Sequence, residues 1–504
     1  MSMRRQLFAT KSLSQLLEEM AGENRLRRVL GPVQLTSLGV GAIIGAGIFV
    51  ATGAAARNVA GPSLMLSYVV AGITCIFAAL CYAEFASMVP VAGSAYTYAY
   101  ATLGEFFAWI IGWDLVLEYA VGGATVANGW SGYFQSVLAK FDLHFPPALS
   151  GPPIIYDTAA GHFVRTAGVV NLPAILIVTL VTIVLVKGIQ ESASVNATMV
   201  FLKVTAVLFV ILVGAFYINP ENWQPFAPYG MTGVSFFGRT LLGQVNAGGQ
   251  PVGMVAGAAI IFFAYIGFDS VSTHAEEARQ PTRDVPIGIV ASLVICTVLY
   301  IAVVAVLTGM VSYDKLSVDA GVSDAFKQAG LPWAEFIIAA AGVAGITSVL
   351  LVLMLSVPRV FLAMARDGMV PQSFFGDVHH KFRTPWKSTI LIGASVATLT
   401  GFLPIDALLH LTNIGTLFAF LMVCAAVLIM RRTNPDAERP FRAPLYPFVP
   451  ILGILACLLL MFSLPVENWY RLIIWMVIGF VIYFSYGYSH SELRKRNGAV
   501  SRRV

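Results

Sequence analysis

Ionisable residues lie inside apolar stretches where a charge is hard to keep: Asp114 and Glu118 within 105–136, Lys203 within 197–217 and Asp269 within 252–273. A charged side chain at the centre of a bilayer is unfavourable by roughly 2.5–3.5 kcal/mol on insertion scales, which makes each a candidate for function. Lys203 can gain and lose a proton as a site opens to either side, or stand as a fixed ammonium in place of a coupling sodium ion. Its long stem can equally carry the charge to the nearer membrane surface. Glu118 and Asp269 are candidates for proton carriers or for partners of unpaired backbone amides; the alternative is a hydrogen-bonded acid that fixes helix packing.

Backbone chemistry is signalled by residues 39–49, which read Gly-Val-Gly-Ala-Ile-Ile-Gly-Ala-Gly-Ile-Phe. Each glycine inside a helix is unfavourable by about 0.5–1 kcal/mol relative to alanine, so Gly39, Gly41, Gly45 and Gly47 predict a broken helix. The stretch lacks the dinucleotide-binding spacing, which requires glycine at Ile44. The competing explanation is close packing of helices through Gly41-xxx-Gly45. Breaking a helix in lipid frees amides and carbonyls that protein, water or ligand must satisfy. The amide end suits a carboxylate and the carbonyl end suits an ammonium. A second stretch, 257–272, places Gly267 and Asp269 at mid-depth, and two such breaks facing each other would grip both ends of an α-amino acid. No HExxH, GxSxG, Walker loop or zinc-type cysteine set is present, so the sequence predicts neither enzyme nor metal site nor cofactor.

The chain that must position these groups has 504 residues, 58% of them hydrophobic and 11% charged, with a mean hydropathy of +0.79. Those values predict an all-α integral membrane protein with about twelve spans by length. The spans fall near 33–57, 62–88, 105–136, 169–186, 197–217, 252–273, 286–311, 332–365, 388–403, 408–430, 446–464 and 469–488. Five spans on either side of a loop at 219–250 predict an inverted repeat, 33–218 and 251–430, followed by two peripheral spans within 431–490. Tails of 1–32 and 491–504 complete the chain, and lysines and arginines concentrated there and in alternate loops predict a cytoplasmic location for both termini. Residues 12–24 can form a short amphipathic helix or a solvated tail. The five cysteines lie in apolar runs as small hydrophobes, no cleaved leader is expected, and the loop charge fits a lipid bilayer rather than nucleic acid.

Several stretches in order resemble the amino acid/polyamine/organocation (APC) transporter superfamily, in its bacterial cationic amino acid transporter branch. They are Gly41-Ala-Ile-Ile-Gly-Ala-Gly-Ile-Phe49, Tyr82-Ala-Glu-Phe-Ala-Ser-Met-Val-Pro-Val-Ala-Gly-Ser-Ala-Tyr-Thr-Tyr98, Trp113-Asp-Leu-Val-Leu-Glu-Tyr119 and Phe262-Phe-Ala-Tyr-Ile-Gly-Phe-Asp269, followed by Pro358-Arg359 and Ala365-Arg-Asp-Gly368. The resemblance implies the five-plus-five fold of the leucine transporter type. It implies that a substrate carboxylate meets the backbone around Gly45, Ala46 and Gly47, that the amine meets carbonyls of Ile43, Phe263, Ala264 and Ile266, and that Phe263 is an aromatic gate. Lys203 matches the family's span-5 lysine, which stands where sodium-dependent relatives bind sodium, with Thr347 and Ser348 as neighbours. Ala46 departs from the serine or threonine of several relatives. The expected activity is import of L-amino acids by alternating access with a proton; an amino acid exchanger would use the same motifs, and the preferred side chain is left open.

Overall fold

The computed structural model describes residues 7–11, 30–88, 94–157, 162–188, 193–237, 239–318 and 320–495. The amphipathic stretch at 12–24 lies outside the described residues. Long apolar sequence becomes helix because lipid offers no partner for a free amide or carbonyl, and a helix satisfies both within itself. Among the described residues eight helical runs are long and apolar enough to cross a membrane, and two shorter apolar helices accompany them. The first run, 32–88, contains two helices separated by a break and a turn.

The helices of eight residues or more are α1 (Pro32–Ile43), α2 (Leu64–Met88), α3 (Ser94–Thr102), α4 (Glu105–Ala139), α5 (Leu172–Lys187), α6 (Ala193–Gly214) and α7 (Met254–Ile261). They continue as α8 (Pro281–Met310), α9 (Gly321–Gln328), α10 (Pro332–Arg366), α11 (Trp386–Phe402), α12 (Ile405–Thr433), α13 (Phe448–Phe462) and α14 (Val466–Ile482). Proline opens α1, α8 and α10, where its missing amide removes nothing.

At 35 residues each, α4 and α10 are the longest helices, about 50 Å at 1.5 Å per residue, and must tilt to fit an apolar layer about 30 Å thick. They pack along each other, and α12 joins α4 from another side. Within the apolar window of α4, 94% of residues are buried, so this helix is the axis of the molecule. Against it, α1 and α2 pack on α8, α5 on α11, and α13 on α12.

One face carries both described terminal segments, each tied down by a buried acid, and a third buried acid holds α2 to the end of α12. Asp367 accepts from Lys11 Nζ at 2.6 Å and from the Tyr96 hydroxyl at 2.7 Å. Glu105 accepts from the Tyr483 hydroxyl at 2.9 Å, from Ser491 Oγ at 2.5 Å and from the Tyr100 hydroxyl at 3.4 Å. Glu84 takes two bonds from Arg431, at 2.9 and 2.6 Å, and one from the Ala443 amide at 2.8 Å. Such pairs are firm because removing one partner strands a desolvated charge. The opposite face is built from antiparallel hairpins, Ile154–Asp157 with His162–Arg165 and Val234–Phe236 with Arg239–Leu242, within segments whose proline and glycine content predicts loops.

Candidate functional site

Helix α1 stops at Ile43, and Ile44 turns extended with φ −70° and ψ 107°. Ala46 is again helical, and a wound segment runs from Gly47 to Ala60 through π and α turns. Among the described residues no backbone acceptor reaches the amides of Gly45 and Ala46. The second break follows the same logic: α7 tightens into a 3₁₀ turn at Phe262–Tyr265, and Ile266 goes extended at ψ 135°. Gly267 then takes φ +115°, a conformation that favours glycine, and helix resumes at Ser270.

The two breaks cross in contact. A Cβ on Gly47 would lie 2.2 Å from Ala264 Cα, and one on Gly267 would lie 2.8 Å from the Ala42 carbonyl oxygen. Hydrogen on those two carbons is what allows the backbones to approach so closely. Ile43, Gly45, Ala46, Gly47, Phe263, Ala264 and Ile266 are therefore gathered at one crossing, buried throughout.

Three of the four carbonyls expected to meet an amine have a protein donor within reach. The Tyr300 hydroxyl on α8 lies 2.8 Å from the Ile43 oxygen and 3.1 Å from the Ala264 oxygen, close enough to donate to either. Phe263 accepts from the Ile266 amide at 3.2 Å, and among the described residues no donor reaches the Ile266 carbonyl. Tyr300 packs its ring between Tyr68 and Tyr265, with centroids 5.5 and 5.6 Å away. Tyr265 donates to the Tyr68 carbonyl at 2.8 Å, and Tyr68 and Thr52 share a hydroxyl bond of 2.7 Å, so the tyrosines join both broken helices to α2 and α8. Sequence reasoning missed Tyr300, whose one signal is a hydroxyl-bearing ring in an otherwise aliphatic run, Val-Leu-Tyr-Ile-Ala. Tyr300→Phe removes the one donor the two carbonyls share; the expected result is a loss of about 1–3 kcal/mol of stability, read as a lowered midpoint in thermal unfolding of the detergent-solubilised protein.

Lys203 does not reach toward a surface. It is buried, and its Nζ donates to the Gly41 carbonyl at 2.6 Å while its stem lies against Gly345. Gly41 belongs to the last turn of α1, whose carbonyls lack intrahelical partners and carry the negative end of the helix dipole, so an ammonium there is stabilising. Thr347 and Ser348, on the next turn of α10, bond to that helix's own carbonyls, and Thr347 also accepts from Trp130 at 2.9 Å.

The acids converge on α4. Asp269 Oδ2 accepts from the Tyr119 hydroxyl at 2.6 Å, and among the described residues both carboxylate oxygens of Asp114 are buried without a hydrogen-bond partner, while Thr416 stands beside Glu118. Glu118 lies within electrostatic reach of Asp269 and Asp114. One turn beyond Glu118, Gly122 faces Leu353, Thr412 and the Phe263 ring, which would be 3.6, 3.6 and 4.0 Å from a Cβ placed there, ordinary van der Waals contact. Among the described residues no group of three or more His, Cys, Asp or Glu side chains is arranged to hold a metal ion.

Comparison with known proteins bears on what such a site handles. Residues 30–483 match the profile described as amino acid permease. The chain is 43% identical to a methylthioribose transporter of Bacillus subtilis (strain 168), over 97% of this chain and 99% of that one. It is 45% identical to a branched-chain amino acid permease of the same strain, over 98% and 100%. A vacuolar cationic amino acid transporter 4 of Arabidopsis thaliana is 37% identical over 82% of this chain and 65% of its own length.

Proposed function

The chain belongs to the amino acid permease family, and from that premise we propose that it imports L-amino acids, aliphatic ones first, by alternating access coupled to protons. The observation that carries this reading is the crossing of two broken helices, where among the described residues no backbone partner reaches the amides of Gly45 and Ala46 or the carbonyl of Ile266. In it the carboxylate sits on the amides leading into Gly47, where the helix dipole favours negative charge. The ammonium sits among the carbonyls of Ile43, Phe263, Ala264 and Ile266, and Phe263 closes over the bound molecule. The side chain faces Gly122, Leu353 and Thr412, where the leucine and the Phe263 ring favour an aliphatic group once the crossing opens to admit it.

Coupling runs through Lys203. A charged Lys203 holds the carbonyl end of α1 by the bond to Gly41; a neutral amine releases the dipole attraction, so proton occupancy biases the tilt of α1. Glu118 and Asp269 carry a proton between α4 and the second break. The frame for this movement is a five-plus-five inverted repeat with α13 and α14 peripheral, both termini being cytoplasmic.

Purified protein in liposomes tests the reading with labelled L-leucine, L-isoleucine, L-valine, L-arginine, L-lysine and methylthioribose. The expected result is accumulation of the aliphatic amino acids under an inward proton gradient, collapsed by a protonophore. Uptake only against internal amino acid makes the protein an exchanger. A requirement for sodium overturns the role given to Lys203, and uptake of methylthioribose alone overturns the substrate class.

A further inference from the structure

On the face opposite the termini, a cavity of about 100 Å³ opens between residues 54–59, the loop around Asn246 and the starts of α12 and α14. A single water needs about 10–15 Å³ of such space, so the cavity holds a small solute rather than one solvent molecule. Its polar lining includes Asp406, Glu467, Asn468 and Arg471, with Asn58, Asn246 and Gln250 on the side of residues 54–59 and the loop. Glu467 and Arg471 are one turn apart on α14, and Arg471 also reaches the Ala407 carbonyl at 3.4 Å.

The acids alone prove little, since Asp406 and Glu467 stand in the first turns of α12 and α14, where the helix dipole welcomes negative charge. That explanation covers neither the half-buried guanidinium beside them nor Asn468. The Asn468 amide is fully buried, and among the described residues neither its Oδ1 nor its Nδ2 has a partner. A buried amide left unsatisfied is unfavourable by about 1–3 kcal/mol, so its presence beside a solute-sized space calls for a ligand.

The cavity is also in line with the crossing. Its apolar wall includes Ala54, nine residues beyond Gly45 on the same wound segment, and Ile260, whose carbonyl accepts from Asn413 of α12 at 2.8 Å and which lies three residues before Phe263. At helical rise Ala54 stands roughly 13 Å from Gly45.

We propose that this cavity is an outer waystation that holds one amino acid zwitterion, its carboxylate on Arg471 and its ammonium between Asp406 and Glu467, before transfer to the crossing. Arginine suits the carboxylate because its planar fork donates two parallel bonds. The inference rests on the function proposed above. It also implies indifference to side chain, because every charged group named addresses the backbone end of the solute.

Equilibrium binding to the purified full-length protein and initial uptake rates in liposomes test it, using the most rapidly accumulated amino acid of the panel. The wild type is expected to bind two molecules. Arg471→Gln binds one and raises the apparent KM about tenfold while leaving Vmax within twofold; Arg471→Lys recovers part of the loss. Asn468→Leu, which removes the orphaned amide at similar volume, shifts KM in the same direction. Two-site binding and an unchanged KM in Arg471→Gln overturn the waystation, as does an Asn468→Leu variant that only gains thermal stability. Wild-type uptake with one molecule bound at saturation overturns the waystation and leaves the transport reading standing; no amino acid uptake by the wild type overturns both.

Discussion

Gly47→Val is expected to reduce uptake to background, a loss of more than about 100-fold, with the protein still eluting as a single species. The added Cβ would sit 2.2 Å from Ala264 Cα and 2.5 Å from its Cβ, against backbone that cannot swing aside. Ordinary overpacking in a core is unfavourable by about 1–3 kcal/mol, relieved by small shifts. Here relief requires prising apart the two breaks, and the amides of Gly45 and Ala46 move with them. Displacement of reacting groups by about 1 Å commonly lowers rates about 100-fold, and a site made of backbone has no rotamer with which to compensate. Gly151, where a Cβ would meet nothing within 4 Å, supplies the control: Gly151→Ala leaves uptake unchanged. Normal uptake by Gly47→Val removes the crossing from the transport site.

Lys203→Met is expected to abolish accumulation against a gradient while retaining measurable substrate binding. Methionine keeps a flexible stem against Gly345 but cannot donate to Gly41, so the variant isolates the ammonium from the packing. Lys203→Ala removes both, and the difference between the two reports the stem alone. Leaving the Gly41 carbonyl without its donor lowers stability by about 1–3 kcal/mol. Full accumulation at every imposed pH gradient in Lys203→Met shows that the lysine only secures α1. Loss of all binding with a normal unfolding midpoint shows instead that the ammonium shapes the substrate site itself.

Much of this site was legible in the sequence because its cause is local. Gly45, Gly47 and Gly267 lower helix stability within a single turn, and the chain responds where they stand, at Ile44 and at Ile266–Gly267. The buried lysine and the acids on α4 were legible for a related reason, since hydropathy exposes a charge in an apolar run. Partners brought together by the fold were not. Glu84 and Arg431 are 347 positions apart, and nothing near either residue announces the other. Tyr300 belongs to the same class: an aromatic ring in a membrane helix reads as packing until two broken helices deliver their carbonyls to its hydroxyl. The Asn468 cavity depends on where four separate segments end, and spacing along the chain carries no record of that.

The three hydroxyls around Glu105 bear on how the molecule is assembled. Tyr100 precedes that acid by five residues, but Tyr483 and Ser491 follow it by 378 and 386. At a synthesis rate of about 5–20 residues per second, the acid waits on the order of 20–80 s for these two donors. During that interval α4, the axis on which the other helices pack, begins with a carboxylate not yet fully engaged. Turns synthesised long after α4, at Tyr483 and Ser491, therefore act as the fastener on its first turn, and the bundle closes there only once they have been made.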